Sequence, residues 1–546
     1  HDMTRKQILT TATATVIAGV FGTGCMKTEE TTPFDPRKMG QGQRLSSEGQ
    51  APAGPITIPT TVDRSFFTTD AEKVKQKAAE EPNLDPITSL PAVVQVDLRS
   101  MLQRTVVNNS DVKVAGFTPA IDETRVTEAD ARFDPTMFSQ LSYDLQRPTI
   151  SSNSFAGTYT ETVTGNVGIR QLLESGGEIR IQAQSQWYNA LSAGSLGTIN
   201  GGDDPFYNNE LSVQLTQPLL RDFGNEINRA RIVINRNNQQ ISLLDFRNTL
   251  EETLFNAEQS YWQLVQAQRE VEIRQLLLER TLQMIQILAI RQDQDVTREQ
   301  LSRTNQSLEL RRSELVAARS RLADVSDDLK RFMNDAQLPI AGPELLVPAT
   351  PASEVQIIFD PHEQIESGLL NRPELGQQLK RVDNAAVAMG VAKNNLLPRL
   401  DLSLQGALQG LDSDFVEATG NVFDKDEEYN GTLQLGLQFE IPIGNRAARA
   451  IWRRAQLQHL QSISQYDVQI QQVTVEVKKS LREVDTRYQQ IANFRAARLA
   501  SEDQLDAIQV REDQAEPLTP DFVDRKLRAQ ESVAAAQSQE AQSVAD

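Results

Sequence analysis

The chain reads LQLGLQFEIPIGN at residues 433–445, where apolar and polar side chains alternate before a long helical pattern begins. Apolar residues occupy every second position from Leu433 to Ile443, and glutamine, glycine, glutamate and proline lie between them. Successive side chains of a strand point to opposite faces, so the pattern predicts a strand with one apolar and one polar face. The helical pattern that follows covers roughly 65 residues, far more than the mean helix of a globular protein.

The elements around this stretch occur twice along the chain, which indicates two tandem repeats. In each copy, a strand that begins near a proline is followed by a second strand, a long helix, a turn and another helix. The joint between strand and long helix contains Pro218 and Gly224 in the first copy, and Pro442 and Gly444 in the second. The first copy also has an insertion that predicts a further hairpin around residues 175–177.

These patterns predict five segments along the chain. They are a signal peptide of the lipoprotein type at 1–24, a disordered or extended N-terminal linker at 25–92, repeat 1 at 93–333, an inter-repeat linker at 334–372 and repeat 2 at 373–546. Repeat 1 has predicted strands at 135–146 and 209–220, the insertion at 149–190, and helices at 225–291 and 297–332. Repeat 2 has predicted strands at 398–408 and 432–443 and a long helix at 446–511. Its last helix is expected to be truncated, because the corresponding helix of repeat 1 is longer.

Apolar residues recur every seven positions along the predicted helices, which predicts paired helices with a left-handed supercoil. We expect the helix after each turn to be the antiparallel partner of the long helix. A helix of roughly 65 residues spans about 100 Å, so the helices 297–332 and 373–395, stacked end to end, would nearly match it. The heptad positions are Leu243, Leu250, Ala257, Leu264, Val271, Leu278 and Ile285, then Leu301, Leu308, Leu315, Leu322 and Leu329, then Ile463, Ile470, Val477, Val484 and Ile491.

The N-terminal residues resemble a bacterial export signal. Basic Arg5 and Lys6 precede a weakly apolar stretch that ends in Gly22, Gly24 and Cys25. Small residues directly before a cysteine are typical of a lipoprotein signal, so Cys25 is the expected lipidation site. Gly22 departs from that pattern, since a branched apolar residue is usual there, and a plain signal peptide is the alternative.

Composition limits the classes of function. The 546 residues carry a formal net charge of −19, which disfavours nucleic acid as a partner because its phosphates would be repelled. The three histidines, His1, His362 and His459, are far apart in sequence. No nucleophile motif or phosphate-binding glycine loop accompanies them. We therefore expect no enzymatic activity, no metal site and no cofactor.

Apolar runs and strand number predict how the chain meets a membrane. No run of 18 or more apolar residues follows the N-terminal segment, so a transmembrane helix is not expected. Strands can span a membrane only in a closed barrel, which needs at least about eight of them. Two strands per repeat make about four per chain, so several chains would share one barrel, and three chains would supply about twelve strands.

Several segments together resemble the outer membrane efflux protein family, the TolC-like channel-tunnels. They are the two joints, LTQPLLRDFGN and LQFEIPIGNRA, the strand entry ARFDP at 131–135, the run from NRPEL to KNNLLPRL at 371–400, and the turns at 293–301 and 516–527. No single motif is strongly specific, but the ordered set occurs twice and covers residues 93–546.

The resemblance implies an α+β membrane protein, in which a shared trimeric outer-membrane β-barrel is continuous with a long periplasmic α-helical coiled-coil barrel. Its implied function is a passive homotrimeric duct, the outer-membrane component of a tripartite efflux or secretion system. The implied partners are a periplasmic adaptor (membrane fusion) protein, an inner-membrane pump and outer-membrane lipid. The implied location is the bacterial outer membrane, extending into the periplasm. The insertion in repeat 1 would add barrel strands or form an extracellular extension.

In this family the turns between paired helices constrict the tunnel and meet the adaptor, so acidic residues there are candidates for gating. In a trimer each carboxylate would form a ring of one charge, and such rings filter and gate ions. The alternative role is structural, because acids near helix starts cap the helix or interact with its dipole. The candidates are Asp293, Asp295, Glu512, Asp513, Glu516 and Asp521.

Two other classes of protein compete with a duct. A non-transport coiled-coil scaffold or leucine-zipper regulator would explain the leucines of 301–329, but not the export signal, the alternating strands or the repeat. A general diffusion porin would need many more strands and no long helices. The transported substrate is not encoded in any of these patterns.

Overall fold

A computed structural model describes residues 92–146, 157–193, 205–291, 296–352, 354–424, 430–514 and 518–546. These residues lie within a single unit, Ala92–Asp546. The predicted signal peptide and Cys25 lie outside the described residues. Among the helices described, none combines the length and the apolar character that a membrane span requires.

The described residues form strands and helices, and two of the helices have 61 and 68 residues. The strands are β1 (Val93–Val96), β2 (Thr136–Gln146), β3 (Gly157–Leu172), β4 (Glu178–Ala193), β5 (Phe206–Pro218), β6 (Leu345–Pro348), β7 (Arg399–Asp412) and β8 (Gly431–Glu440). The helices are α1 (Leu98–Asn108), α2 (Ser110–Asp130), α3 (Asn225–Asn228), α4 (Ala230–Ile290), α5 (Arg298–Met333), α6 (Pro361–Asn371), α7 (Pro373–Asn394), α8 (Phe415–Asn421), α9 (Arg446–Asp513) and α10 (Pro520–Ala545).

Six strands form one sheet in the order β2-β3-β4-β5-β7-β8, and every neighbouring pair is antiparallel. The insertion forms β3 and β4, which pair with β2 on one side and β5 on the other. The sheet therefore contains the four predicted strands together with the predicted hairpin of the insertion. The insertion joins the sheet because its alternation matches that of its neighbours and its backbone groups complete their hydrogen-bond ladder.

The register gives this sheet one apolar and one polar face. Leu215, Leu404 and Leu435 lie opposite one another on β5, β7 and β8, and the adjacent Gln214, Gln405 and Gln434 line up on the other face. The apolar face includes Met137, Leu141, Tyr143, Val163, Val167, Ile169, Ile179, Ile181, Leu211, Val213, Leu215, Leu402, Leu404, Leu433, Leu435, Leu437 and Phe439. Many of these side chains are exposed in the single chain, so the described protein does not cover this face.

The two long helices each pack against shorter ones: α4 against α2 and α5, and α9 against α7 and α10. The predicted heptad seam of α5 is buried at Leu308, Leu315, Leu322 and Leu329, as expected for a helix that faces α4. In α9, by contrast, the heptad residues Ile463 and Val484 are exposed. Within one chain, the neighbours of α9 therefore leave part of its predicted seam uncovered.

Helix α5 is continued end to end by α2, and the stacking of α5 on residues 373–395 suggested by their lengths is wrong. Asn334, the C-cap of α5, donates from Nδ2 to the carbonyl of Asn108 (3.0 Å) and to Ser110 Oγ (3.1 Å). Asn109 Nδ2 in turn donates to the carbonyl of Phe332 (3.1 Å). Length could not identify the partner, because α2 and α7 have 21 and 22 residues.

The segment 334–372, predicted as a linker, contains β6 and α6. Strand β6 pairs in parallel with β1, and both strands pack against buried Tyr261 of α4. The hydroxyl of Tyr261 donates to the carbonyl of Val96 (3.2 Å) and accepts from the amide of Thr350 (2.9 Å). A pairing between residues this far apart in sequence leaves no local pattern by which it could be predicted.

Candidate functional site: the strand-to-helix joints and the helix tips

The two strand-to-helix joints lie at the same end of the six-stranded sheet. Beyond Pro218 at the end of β5, the amide of Leu219 donates to the carbonyl of Leu400 (2.8 Å) at the start of β7. Beyond β8, Asn445 Nδ2 donates to the carbonyl of Leu396 (3.1 Å). Both joints are thus hydrogen-bonded to the segment that runs from the end of α7 into the start of β7. The helices that follow β5 and β8 therefore begin at the same end of the sheet as the one at which α7 ends.

Each joint turns the chain through a glycine with a positive φ angle. Gly224 has φ 103° and ψ 150°, and Gly444 has φ 88°. L-residues rarely adopt such angles, whereas glycine has no Cβ and adopts them readily. Asn445, directly after Gly444, has φ 41°, a left-handed conformation that asparagine tolerates better than most residues. The glycines predicted at both joints therefore allow a strand to become a helix within a few residues.

Gly224→Ala is expected to destabilise the protein by about 1–3 kcal/mol, the usual cost of a non-glycine residue in this backbone region. A Cβ at Gly224 would meet no atom within 4 Å, so the cost arises from the backbone alone. Thermal unfolding measures it. The matched control is Gly390→Ala, where a Cβ also meets nothing within 4 Å but the residue lies inside α7; there alanine should be neutral or stabilising. Equal unfolding temperatures for the two variants would contradict the assignment.

The six acidic tip candidates divide into described and undescribed residues. Asp293, Asp295 and Glu516 lie outside the described part of the chain. Asp513 is the exposed last residue of α9. Asp521 is 78% exposed in the first turn of α10 and pairs with Arg525 at 3.1 Å, so its surroundings fit the structural alternative of a charge near a helix start.

Glu512 differs from the other described candidates because it forms a buried ion pair. Its carboxylate oxygen Oε2 contacts Lys526 Nζ of α10, and the two side chains are only 12% and 6% exposed. Its other oxygen, Oε1, is buried and has no hydrogen-bond partner within the described protein. The sequence prediction missed Lys526. Its position among Phe522, Val523 and Leu527, on the apolar face of the helix, could have indicated a buried cation that needs a partner.

A second set of contacts joins the turn of one helix pair to the turn of the other. Gln300, 2% exposed, donates from Nε2 to the carbonyl of Leu518 (2.7 Å) and completes a capping box with Thr297. Nearby, Arg303 of α5 pairs with Asp524 of α10 at 3.3 Å. These contacts cross from the pair α4–α5 to the pair α9–α10, so the two helix pairs hold each other at the tip.

Arg311 of α5 is a buried cation that links three helices. Its guanidinium donates to Thr281 Oγ1 of α4, to Gln530 Oε1 of α10 (3.4 Å) and to the carbonyl of Leu527 (3.3 Å). Burial lowers the pKa of this guanidinium from its ordinary value. The sequence prediction missed Arg311 although it lies within the leucine seam of α5, where a charged residue is unusual and needs partners.

Apolar residues from four segments complete the tip. Met284 and Leu288 end α4, and they pack with residues of both turns and of α10. The buried members are Met284, Leu288, Val296, Leu518, Phe522, Val523 and Leu527. In the described structure an apolar cluster and buried polar contacts thus hold the two helix pairs together, and one buried ion pair joins α9 to α10 within its own pair.

Comparison with known proteins shows which family and which solved structures the chain is similar to. Residues 365–514 match the model of the family described as "Outer membrane efflux protein". None of the curated proteins matches the chain. The fold is similar to that of the Campylobacter jejuni CmeC outer membrane channel (16% identity, TM-score 0.57, covering 82% of this chain and 84% of that one).

Two further solved structures are similar over most of their length. A membrane protein from Pseudomonas aeruginosa is 15% identical, with a TM-score of 0.57 and coverage of 84% of this chain and 96% of that one. The open state of the Neisseria gonorrhoeae MtrE outer membrane channel is 15% identical, with a TM-score of 0.55 and coverage of 82% and 87%. At these identities the likeness shows a common fold. The family match and the shared fold confirm the resemblance of this chain to the outer membrane efflux proteins.

Proposed function

We propose that this chain is the outer-membrane component of a tripartite efflux or secretion system, a passive homotrimeric duct through which substrates cross the periplasm and the outer membrane. The observation that carries the proposal is the two-faced sheet, whose strands run directly into helices of 61 and 68 residues. An exposed apolar face opposite a polar face suits strands between lipid and water. Helices of this length reach about 90–100 Å.

A shared barrel follows from the two edges of the sheet. Strands β2 and β8 each pair on one side only within the described chain. Open edges are not stable in lipid, because their backbone groups lack hydrogen-bond partners, so neighbouring copies join edge to edge. The exposed heptad residues Ile463 and Val484 of α9 then pack against the neighbouring copy and complete the helical barrel. The two tandem repeats supply equivalent halves of each copy.

The tips form the end that meets the periplasmic adaptor and, with it, the inner-membrane pump. There the contact of Gln300 with Leu518 holds the two helix pairs together, and the contact of Glu512 with Lys526 holds α9 to α10. Opening the duct requires that such contacts break. Asp293, Asp295, Asp513 and Glu516 form rings of negative charge around the axis of the trimer. Cys25 carries the lipid that anchors the N-terminus to the outer membrane.

The proposal is tested by locating the full-length protein in bacteria that express it. It should fractionate with the outer membrane, require detergent for extraction, and migrate as a trimer that dissociates on heating. Recovery as a dimer in the soluble fraction would instead support a coiled-coil scaffold. That alternative is not supported here, because it leaves the exposed apolar face of the sheet without a function.

Replacing both Asp293 and Asp295 with alanine is expected to reduce the preference of the channel for cations, because six negative charges leave the constriction of a trimer. Single-channel recordings in planar bilayers measure the preference as a reversal potential in a salt gradient. The control is Glu309→Ala, which removes an exposed acid from the side of α5. If the double variant and the control have the same reversal potential, the two aspartates do not line the constriction.

A further inference from the structure

We propose that each copy contributes six membrane-spanning strands, so that a homotrimer closes an eighteen-stranded barrel rather than the barrel of about twelve strands expected from two strands per repeat. The inference rests on the duct proposed above and concerns the inserted hairpin, β3 and β4. Four observations support it: the height of the hairpin, the position of its turn, its exposed apolar face and the directions of the edge strands.

The inserted hairpin runs the full height of the sheet. Strands β3 and β4 have 16 residues each, compared with 13 in β5 and 14 in β7. Near the joints, Glu178 of β4 lies opposite Thr216 of β5. At the other end of the same pair, Tyr188 lies opposite Phe206, and their rings are 5.1 Å apart. A hairpin that only extended outside the cell would not be paired with β5 down to the joints.

The turn of the hairpin is attached to the strand-to-helix joint. The amide of Gly224 donates to the carbonyl of Ser175 (3.0 Å), and Ser175 Oγ donates to Gln217 Oε1 (2.9 Å). Glu174 also pairs with Arg229 at 3.3 Å. The turn therefore lies at the helical end of the sheet, where the barrel meets the tunnel, and the strands on either side of it must cross the same layer as β5.

The apolar face of the sheet continues into the hairpin, where Glu161 of β3 and Ser185 of β4 are polar residues on the same face. Ile169 of β3 and Ile181 of β4 lie opposite each other, and Ile181 lies opposite Val213 of β5. Ile169 and Ile181 are 51% and 46% exposed, similar to the 39% of Leu404 on β7. Gln182 on the opposite face of β4 lies beside Ser212. The hairpin thus has the same lipid-facing and water-facing sides as the strands that flank it.

The directions of the edge strands allow copies to join as an antiparallel barrel. Strand β2 runs away from the helical end, because it follows α2, and β8 runs towards that end, because it precedes α9. The edges have similar lengths, 11 and 10 residues. Strand β8 of one copy can therefore pair antiparallel with β2 of the next, which yields the even strand number usual in bacterial barrels.

The extra strands widen the barrel but not the tunnel. In each chain β2, β5, β7 and β8 connect to helices, whereas β3 and β4 are joined by their own turn. Barrel diameter grows roughly linearly with strand number, so eighteen strands give about 1.5 times the diameter of twelve. The β3–β4 turns then line the base of a barrel that is wider than the ring of helices beneath it.

Spin labels on the full-length protein in phosphatidylcholine vesicles test where the hairpin lies. Labels at Ile169→Cys and Ile181→Cys should be relaxed more strongly by oxygen, which enters lipid, than by a water-soluble nickel chelate. The ratio of the two effects should match the ratio at Leu404→Cys. The control Gln182→Cys should show the opposite preference. The unsubstituted protein gives the background signal, which should be absent because the lipid proposed on Cys25 occupies its thiol. Access of the nickel chelate to residues 169 and 181 but not to residue 404 would overturn the inference without contradicting the proposed duct. Nickel access at 404 as well would overturn both.

Counting the strands gives a second, independent test. Electron cryomicroscopy of the protein in lipid nanodiscs shows the strands in cross-section, and the mass of the particle gives the number of chains. Six strands per chain supports the inference, and four per chain with density for the hairpin outside the bilayer contradicts it. The number of strands per chain can be counted in any oligomer. A particle with a different number of chains would contradict the homotrimer and its total of eighteen strands, and the count per chain would still decide whether the hairpin spans the membrane.

Discussion

The Leu404→Arg variant is expected to lose about 2–4 kcal/mol of stability in the bilayer, the cost of a cationic side chain on the lipid face near the midplane. Leu404 lies in the middle of β7, between Leu215 and Leu435 on the apolar face. Reversible urea unfolding from lipid vesicles measures the free energy. Where unfolding is irreversible, the fraction of heat-resistant trimer in outer membranes reports the same loss.

Gln405→Arg is the matched control, because the next residue of the same strand faces the other way. Gln405 lies between Gln214 and Gln434 on the polar face, where water can solvate an added charge. Its expected effect is a small change in stability and a shift of ion selectivity towards anions. Equal losses at 404 and 405 would contradict the assignment of one face to lipid and the other to the lumen.

The Lys526→Met variant is expected to destabilise the tip by about 3–5 kcal/mol, because it leaves the carboxylate of Glu512 buried without its cation. Without Lys526 the carboxylate of Glu512 has no other partner to compensate, since its second oxygen already lacks one among the described residues. Amide hydrogen exchange reports the loss directly, as faster exchange at the end of α9 and the start of α10. The same opening should raise single-channel conductance if the tip is the constriction.

Two variants separate the buried pair from general damage to the tip. Adding Glu512→Leu to Lys526→Met removes the stranded charge and should recover most of the lost protection. Asp521→Ala breaks the pair with exposed Arg525 and should cost about 1 kcal/mol or less. If Lys526→Met and Asp521→Ala gave the same exchange rates, the buried pair would not be what holds α9 to α10.

Local sequence patterns were sufficient to predict the features that depend on residues close together in the chain. The alternation at 433–439 lies in β8, which ends at Glu440 rather than at the predicted residue 443, and the glycines of both joints have the positive φ angles that a sharp turn needs. Leu308, Leu315, Leu322 and Leu329 of α5 are buried where the heptad predicted them. In each case the property depends on residues only a few positions apart, which is the range over which a sequence pattern carries structural information.

The acidic residues of the tip show where such patterns stop being informative. Glu512 and Asp513 are adjacent and chemically alike, yet Glu512 is buried against Lys526 and Asp513 is exposed. Arg311, which no motif singled out, has three partners on two other helices. Burial and pairing depend on which helix face meets which neighbour, and the partners are up to 219 residues apart along the chain.

The sequence by itself determined the two-faced strands, the long helices, the joints between them and the resemblance to outer membrane efflux proteins, because periodicity and turn chemistry are local properties. Only the tertiary structure decided that the insertion adds two strands to the sheet, that α2 rather than α7 continues α5, and that Lys526 and Arg311 hold the tip. Each of these depends on pairing between distant segments, where hydrogen bonds and buried area select one arrangement among several that the same local patterns allow.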